Sequence, residues 1–92
     1  MILLPNRILM KYLKWYENQR EGLGFEFLIS FDDSLHSLAK NPFAYFNVTK
    51  TVRRIAITRF PYNAYYTTTK NVVHIHVVMH QHKDPEEWQV RI

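Results

Sequence analysis

The chain has 92 residues, of which 47% are hydrophobic, 15% aromatic and 22% charged, and this composition predicts a single globular domain over residues 1–92. The sequence contains no cysteine, which excludes disulfides, thiolate zinc sites and a cysteine nucleophile. No apolar run approaches the roughly 18 residues of a membrane-spanning helix, so we expect a soluble, cytoplasmic chain.

The net charge of +4 is carried by the second half of the chain. Residues 1–49 contain five basic and five acidic side chains, whereas residues 50–92 contain seven basic and three acidic ones. This asymmetry favours an acidic or polyanionic partner for the C-terminal half. A basic face that is simply solvated is the alternative interpretation.

Two amphipathic helices are predicted first. The pattern from Asn6 to Arg20 has helical spacing, with Asn6 as the N-cap and with Gly22 and Gly24 marking the end. A second helix is predicted to end at Asn41-Pro42. Its apolar stripe consists of Phe27, Leu28, Phe31, Leu35 and Leu38. Two such helices joined by a few residues predict a helical hairpin.

Three strands are predicted after the helices. The segments V-R-R-I-A-I-T (52–58) and N-A-Y-Y-T-T-T (63–69) are rich in β-branched and aromatic residues, and a turn at Lys70-Asn71 leads into V-V-H-I-H-V-V-M-H (72–80). The aromatic residues Tyr45, Phe46 and Phe60 and the tyrosines of the middle strand are expected to lie mostly in the core. The element order predicts an α+β fold, in which the helical hairpin packs on an antiparallel sheet.

The last predicted strand carries several of the chain's five histidines. Strict alternation would direct Val73, Ile75, Val77 and Met79 toward the helices. It would direct Val72, His74, His76, Val78 and His80 to the other face. At about 3.3 Å per residue, His74 and His76 are about 6.6 Å apart and His80 is roughly 13 Å beyond His76, so one metal ion cannot bind all three. We therefore expect no metal site and no cofactor, and we expect solvated or hydrogen-bonded histidines.

Several motifs, taken in order, resemble the RelE/ParE superfamily of bacterial toxins, from about Leu4 to Trp88. They are W-Y-E-N-Q-R-E-G-L-G-F-E-F (15–27), V-R-R (52–54), R-F-P-Y (59–62), Y-Y (65–66) and V-V-M-H-Q-H-K-D-P-E-E-W (77–88). The resemblance implies a toxin of a type II toxin-antitoxin module, of the kind often described as plasmid stabilisation proteins. The N-terminus departs from the family pattern, because members usually begin with a fuller strand and only four residues precede Pro5 here. Either the first strand is very short or the start of the sequence is late.

The resemblance further implies a cognate antitoxin as partner, operator DNA bound through that antitoxin, and one of two cellular targets. RelE-like members cleave mRNA on the ribosome, whereas ParE-like members inhibit DNA gyrase. Cleavage of RNA through its own 2′-hydroxyl needs a base, an acid and cations around the phosphate. Arg54 matches one basic position of the nucleases, but Ala56 and Asn63 stand where two further basic residues would be expected.

The absence of basic residues at positions 56 and 63 favours a ParE-like toxin, which binds its target and needs no catalytic residues. In the alternative, a ribosome-dependent mRNA endoribonuclease, the candidate catalytic residues are Arg54, Arg59 and His80. The candidate target- or phosphate-contacting residues are Arg53, Asn63, Lys83 and Trp88.

Structural roles are also open for these residues. His80 would then close a turn by a hydrogen bond, and Arg59 would form a salt bridge or stack on Tyr62 or Tyr66. Lys83 would belong to a turn, and Trp88 would dock the C-terminal segment on the core. A third functional possibility is a non-toxic, autoregulatory antitoxin-binding protein.

Overall fold

The computed structural model describes residues 2–82, which form an α+β domain with two helices and a five-stranded sheet. In chain order the elements are β1 (Ile2–Leu3), α1 (Asn6–Gln19), α2 (Leu23–Lys40), β2 (Phe46–Asn47), β3 (Arg53–Ala56), β4 (Tyr62–Thr69) and β5 (Val72–His80). In this part of the chain, no helix is long and apolar enough to cross a membrane.

The two helices form the predicted hairpin, but two details of the prediction are wrong. The N-cap of α1 is Pro5, which has extended backbone angles (φ −62°, ψ 131°), and not Asn6 as predicted. Asn6 is the first residue of the helix itself. The carbonyl of Pro5 accepts the first hydrogen bond, from the Ile8 amide at 3.1 Å. Gly22 has φ 87°, a left-handed conformation that suits glycine between helices. Gly24, in contrast, does not end α1 but lies inside α2.

Glu17 of α1 caps the N-terminus of α2. Its carboxylate accepts hydrogen bonds from the Gly22 amide at 3.1 Å and from the Gly24 amide at 3.1 Å. The N-cap residue of α2, Gly22, has no side chain with which to do this. A carboxylate at a helix N-terminus satisfies unpaired amides and interacts favourably with the helix dipole. The contact therefore fixes the angle and spacing at which the helices leave the turn.

The sheet has the strand order β1-β5-β4-β3-β2. The predicted meander is present as β3, β4 and β5, and β5 has the predicted bounds. The prediction of only three strands after the helices is wrong, because β2 pairs antiparallel with β3 and adds a fourth. The sheet is also mixed, since β1 runs parallel to β5. Lys70 and Asn71 have positive φ angles of 48° and 68°, as a two-residue hairpin turn requires.

The core lies between the helices and one face of the sheet. Its fully buried side chains include Phe27, Phe31 and Leu38 of α2 and Tyr66 and Ile75 of the sheet. Aromatic edge contacts continue this core toward the turn after β3, where Phe60 packs on Phe27 with ring centroids 5.0 Å apart. These rings explain the high aromatic content, because each buries a large apolar area.

A register shift in β5 overturns the predicted alternation of its side chains. Tyr65 pairs with Val77 and Tyr66 with Ile75, so His76 is an extra residue with no partner across β4. Such a β-bulge reverses the facing of every residue beyond it. Val77 and Met79 therefore lie in a second cluster with Val52, Tyr65 and Val48. Val78, predicted to face away from the helices, lies in the main core instead.

Candidate functional site

A cleft of about 680 Å³ opens beside the outer edge of β3, where α2 approaches the sheet. We refer to it as the arginine cleft, because Arg54 lines it. β2 pairs with β3 only at Arg53 and Arg54, so the rest of that edge is uncovered by a strand. The lining residues are Ser34, Ser37, Tyr45, Phe46, Arg54, Ile55, Ala56, Thr58, Asn63 and Gln81.

Arg54 is held at the cleft by an aromatic ring. Its guanidinium carbon lies 4.5 Å from the ring centroid of Phe46, the residue paired with it across β2 and β3. The expectation that Phe46 is a core residue is wrong, since 61% of it is exposed. A guanidinium over an exposed ring is worth about 0.5–1 kcal/mol, and it leaves the N–H groups available to a partner.

The opposite wall of the cleft is fixed by Ser34 of α2. Its hydroxyl donates to the Ala56 carbonyl at 3.3 Å and accepts from the Thr58 amide at 3.2 Å. This ties α2 to the end of β3, and Asn63 is paired with Ala56 on the neighbouring strand. The structure thus brings Arg54 and Asn63, two predicted site residues, into one cleft.

The guanidinium of Arg53 is bound to the loop before β2. Its guanidinium donates to the Phe43 carbonyl at 3.0 Å and to the Tyr45 carbonyl at 2.7 Å, and its carbon lies 5.5 Å from the Phe43 ring. The loop between α2 and β2 is therefore clamped onto β3. Nearby, burial raises the pKa of Tyr66 to about 12, with Arg53 acting in the opposite direction.

His80 ends β5 outside the arginine cleft. Its Nδ1 accepts a hydrogen bond from the His82 amide at 3.1 Å, and its ring packs edge-on against Tyr62 with centroids 5.4 Å apart. The hydrogen bond has the form expected for a residue that closes a turn. Its neighbour Gln81 lines the cleft instead and donates its backbone amide to the Pro61 carbonyl at 2.9 Å.

Arg59 lies in the turn between β3 and β4, exposed and with φ 70°. Within residues 2–82, it has neither the salt bridge nor the tyrosine stacking considered from the sequence. It does not line the cleft, although the adjacent Thr58 does. Lys83 and Trp88 lie outside the described residues. Of the three candidate catalytic residues, Arg54 lines the arginine cleft, and Arg59 and His80 are not among its described lining residues.

The chemistry of the arginine cleft follows from its lining. Arg54 is its charged residue, and among the described lining residues there is no imidazole and no carboxylate. Hydroxyl and amide groups supply the remaining polarity, from Ser34, Ser37, Tyr45, Thr58, Asn63 and Gln81. This arrangement can bind an acidic or carbonyl-rich surface, and its described lining residues include no imidazole–carboxylate pair for general acid–base catalysis.

Sequence reasoning missed the serines and Gln81. The available signal was the pair Ser30 and Ser34, polar residues four positions apart on the otherwise apolar stripe of α2, where both are buried. Buried hydroxyls need hydrogen-bond partners, so such a pair indicates a contact with backbone outside the helix. Gln81 carries no comparable signal, because a single polar residue after a strand is ordinary turn composition.

A larger cavity, of about 800 Å³, lies elsewhere, between α2 and the hairpin that joins β4 and β5. Asp32 and His36 stand at its rim with an ion-pair distance of 3.3 Å, and Lys70 is also at the rim. It contains none of the predicted site residues. Over residues 2–82, no group of three or more histidine, cysteine or acidic side chains could hold a metal ion.

The described residues thus form an α+β domain with a cleft in which Arg54 is the charged side chain among the lining residues that the structure describes. Comparison adds no family, since no protein-family model matches the chain and no curated protein matches it.

Proposed function

We propose that this chain is the toxin of a type II toxin-antitoxin module of the RelE/ParE kind, and that it inhibits growth by binding a macromolecular target in the cytoplasm. The motif resemblance over residues 4–88 is the basis of the family proposal. The fold supports it, because a helical hairpin packed on one face of a sheet is the architecture that the resemblance implies. The first strand has only two residues and is shorter than the strand that members usually have.

The composition of the arginine cleft carries the choice of a binding toxin over a nuclease. Arg54 offers a guanidinium on an aromatic support, whereas His80 is engaged in a turn and Arg59 lies outside the cleft. Phosphoryl transfer without a metal needs an acid, a base and clustered cations. Binding needs only complementary shape and charge. DNA gyrase is the target that family analogy supplies for the binding version.

The partner expected to neutralise this toxin is an acidic antitoxin. The basic surplus of the second half favours an acidic segment that folds as it binds. Both helices also present exposed apolar side chains, Met10 and Trp15 on α1 and Phe25 and Ile29 on α2. Exposed apolar groups of this size commonly mark protein interaction surfaces. A neighbouring reading frame that encodes a short acidic chain with a DNA-binding N-terminal half would supply this partner.

The target is tested with the purified protein on two substrates. We expect inhibition of plasmid supercoiling by DNA gyrase and no cleavage of mRNA on translating ribosomes. Unchanged supercoiling together with mRNA cuts at defined codon positions would contradict the binding proposal and support the nuclease alternative. In that event His80→Ala and Arg59→Ala should each lower cleavage without unfolding the domain.

The role of the cleft is tested by reversing its charge. Arg54→Glu should abolish inhibition of gyrase, because the same position would repel an acidic surface. Lys50→Glu is the matched control, since it makes the same charge change at an exposed residue that does not line the cleft. An equal loss of gyrase inhibition in both variants would show that only the net charge matters and would contradict a role for the cleft.

A further inference from the structure

Two imidazoles lie side by side at the β-bulge in β5. The backbone positions of His74 and His76 are about 6.6 Å apart in a regular strand. Their ring centroids are 4.2 Å apart in the structure, and the ring planes are inclined by 30°. His76 is the residue without a partner in β4 at the register shift, so this close pair lies at an irregular position of the strand.

We propose that His74 and His76 form a two-histidine chelate for a divalent transition-metal ion of the Zn²⁺ or Ni²⁺ type. Imidazole nitrogen is a preferred ligand for both ions. Two imidazoles on one tetrahedral ion have ring centres roughly 5 Å apart, given Zn–N bonds of about 2.0–2.1 Å. The observed centroid separation is 4.2 Å, so chelation requires side-chain rotations that move the rings about 1 Å apart and turn one nitrogen of each ring toward the ion. His74 is exposed and His76 half-buried, so an ion has access to the pair.

Thr67 completes the outer part of this site. Its hydroxyl lies 2.8 Å from Nε2 of His76, which leaves Nδ1 as the free nitrogen of that ring. A metal on Nδ1 requires the proton on Nε2, and Nε2–H then donates to the Thr67 oxygen. Histidine ligands are commonly held in this way by a hydrogen bond from the second ring nitrogen, which fixes the tautomer and the ring orientation. Thr67 is therefore a positioning residue.

The surroundings set the strength of the site. His76 shares a cleft of about 500 Å³ with Arg7 and Lys11 of α1, two cations that oppose a bound dication. The pair supplies two protein ligands, so water occupies the other coordination positions. Structural zinc sites use four protein ligands and catalytic ones three. The ion at this pair is accordingly exchangeable, and the domain folds without it.

The test is a calorimetric titration of the full chain, produced without a histidine tag, with ZnCl₂. We expect one saturable ion per chain. His74→Gln and His76→Gln should each weaken binding at least tenfold, because a chelate becomes a single ligand, and Thr67→Val should weaken it about tenfold. His82→Gln is the matched control, since it removes one imidazole from the other close histidine pair, His80 and His82, whose ring centroids are 5.3 Å apart.

Unchanged thermal unfolding of the metal-free variants shows that any loss of affinity comes from lost ligands. Absence of saturable binding below about 1 mM Zn²⁺ would overturn the proposal. Full affinity in folded His74→Gln or His76→Gln would overturn it as well, as would a loss of affinity in His82→Gln as large as theirs.

Discussion

Substituting Gly24 by alanine tests how closely the two helices pack. A Cβ atom at this position would lie 2.9 Å from the Leu13 carbonyl oxygen, 3.0 Å from Oε1 of Glu17 and 3.2 Å from Cβ of Glu17. Ordinary van der Waals contacts begin near 3.4 Å, and the nearest of these atoms belongs to the backbone of α1. The Glu17 side chain can rotate away, but the Leu13 carbonyl cannot move without shifting the helix.

Two opposing effects set the size of the change. Alanine is favoured over glycine inside a helix by about 1 kcal/mol. Overpacking of a fitted contact typically costs about 1–3 kcal/mol, and displacing Glu17 from the Gly24 amide loses a hydrogen bond of about 1 kcal/mol. We therefore expect Gly24→Ala to lower the free energy of unfolding by about 1–3 kcal/mol, against the direction of helix propensity.

Urea unfolding followed by circular dichroism measures this change. With an m-value of about 1.5 kcal/mol/M, the midpoint should fall by about 0.7–2 M at unchanged slope. Gly22→Ala is the control, because a Cβ added there would have no heavy atom within 4 Å and only the φ of 87° opposes the substitution. A Gly24→Ala protein as stable as the wild type, or more stable, would refute the close helix contact.

Three further predictions concern the sheet. Tyr66→Phe removes the hydroxyl that donates to the Pro42 carbonyl at 2.7 Å and should cost about 1 kcal/mol at neutral pH. Because burial raises the pKa of Tyr66 to about 12, wild-type stability should also fall as the pH rises above the ordinary value of 10, and less steeply in this variant; parallel curves would contradict the assignment. For His76, burial and then the neighbouring His74 lower the pKa, so the unfolded chain binds the proton first and stability should fall as the pH drops below about 6.5. In His76→Gln, the free energy of unfolding should therefore change less between pH 7 and pH 5 than in the wild type. An equal change in both proteins would show that His76 does not cause the pH dependence. Arg53→Lys should lower the free energy of unfolding by about 1–2 kcal/mol, because one ammonium cannot reproduce the paired bonds to Phe43 and Tyr45, and unaltered urea midpoints would count against the clamp.

The elements that were predictable from the sequence are those with a long, regular pattern. The helices and β5 have enough residues for the apolar period to be read, and Lys70-Asn71 has the composition of a tight turn. β2 consists of Phe46–Asn47 alone, which is too short to show any alternation. Its pairing with β3 depends on the position of the preceding loop, which Arg53 holds through contacts distant in sequence.

The errors at the candidate site have a common physical origin. The bulge at His76 changes one backbone pairing, yet it reverses the facing of Val77 and Met79. Phe46 is apolar, which favours a core position, but the guanidinium of Arg54 covers its ring at the surface. In both cases a single tertiary contact overrides the local pattern, so residue type and spacing alone could not place the side chains.

Arg54 and Asn63 stood in different groups of candidates from the sequence, and the structure places both at the arginine cleft. Arg54 and His80 were grouped as catalytic candidates, but His80 is not among the described lining residues of that cleft. His80 follows the bulge, which shifts the register of the strand end, and its ring packs on Tyr62. A catalytic constellation depends on such register details, whereas a binding surface depends mainly on the face that the strands present.

Growth after induction without an antitoxin tests the central claim, that this chain is a toxin acting through the arginine cleft, most directly. The wild type, Lys50→Glu and His80→Gln should stop growth, whereas Arg54→Glu, shown to be folded by its thermal unfolding, should not. Normal growth with the wild-type protein would contradict the toxin proposal and favour a non-toxic antitoxin-binding protein. Growth restored by His80→Gln, with arrest retained in Arg54→Glu, would contradict the role of the cleft.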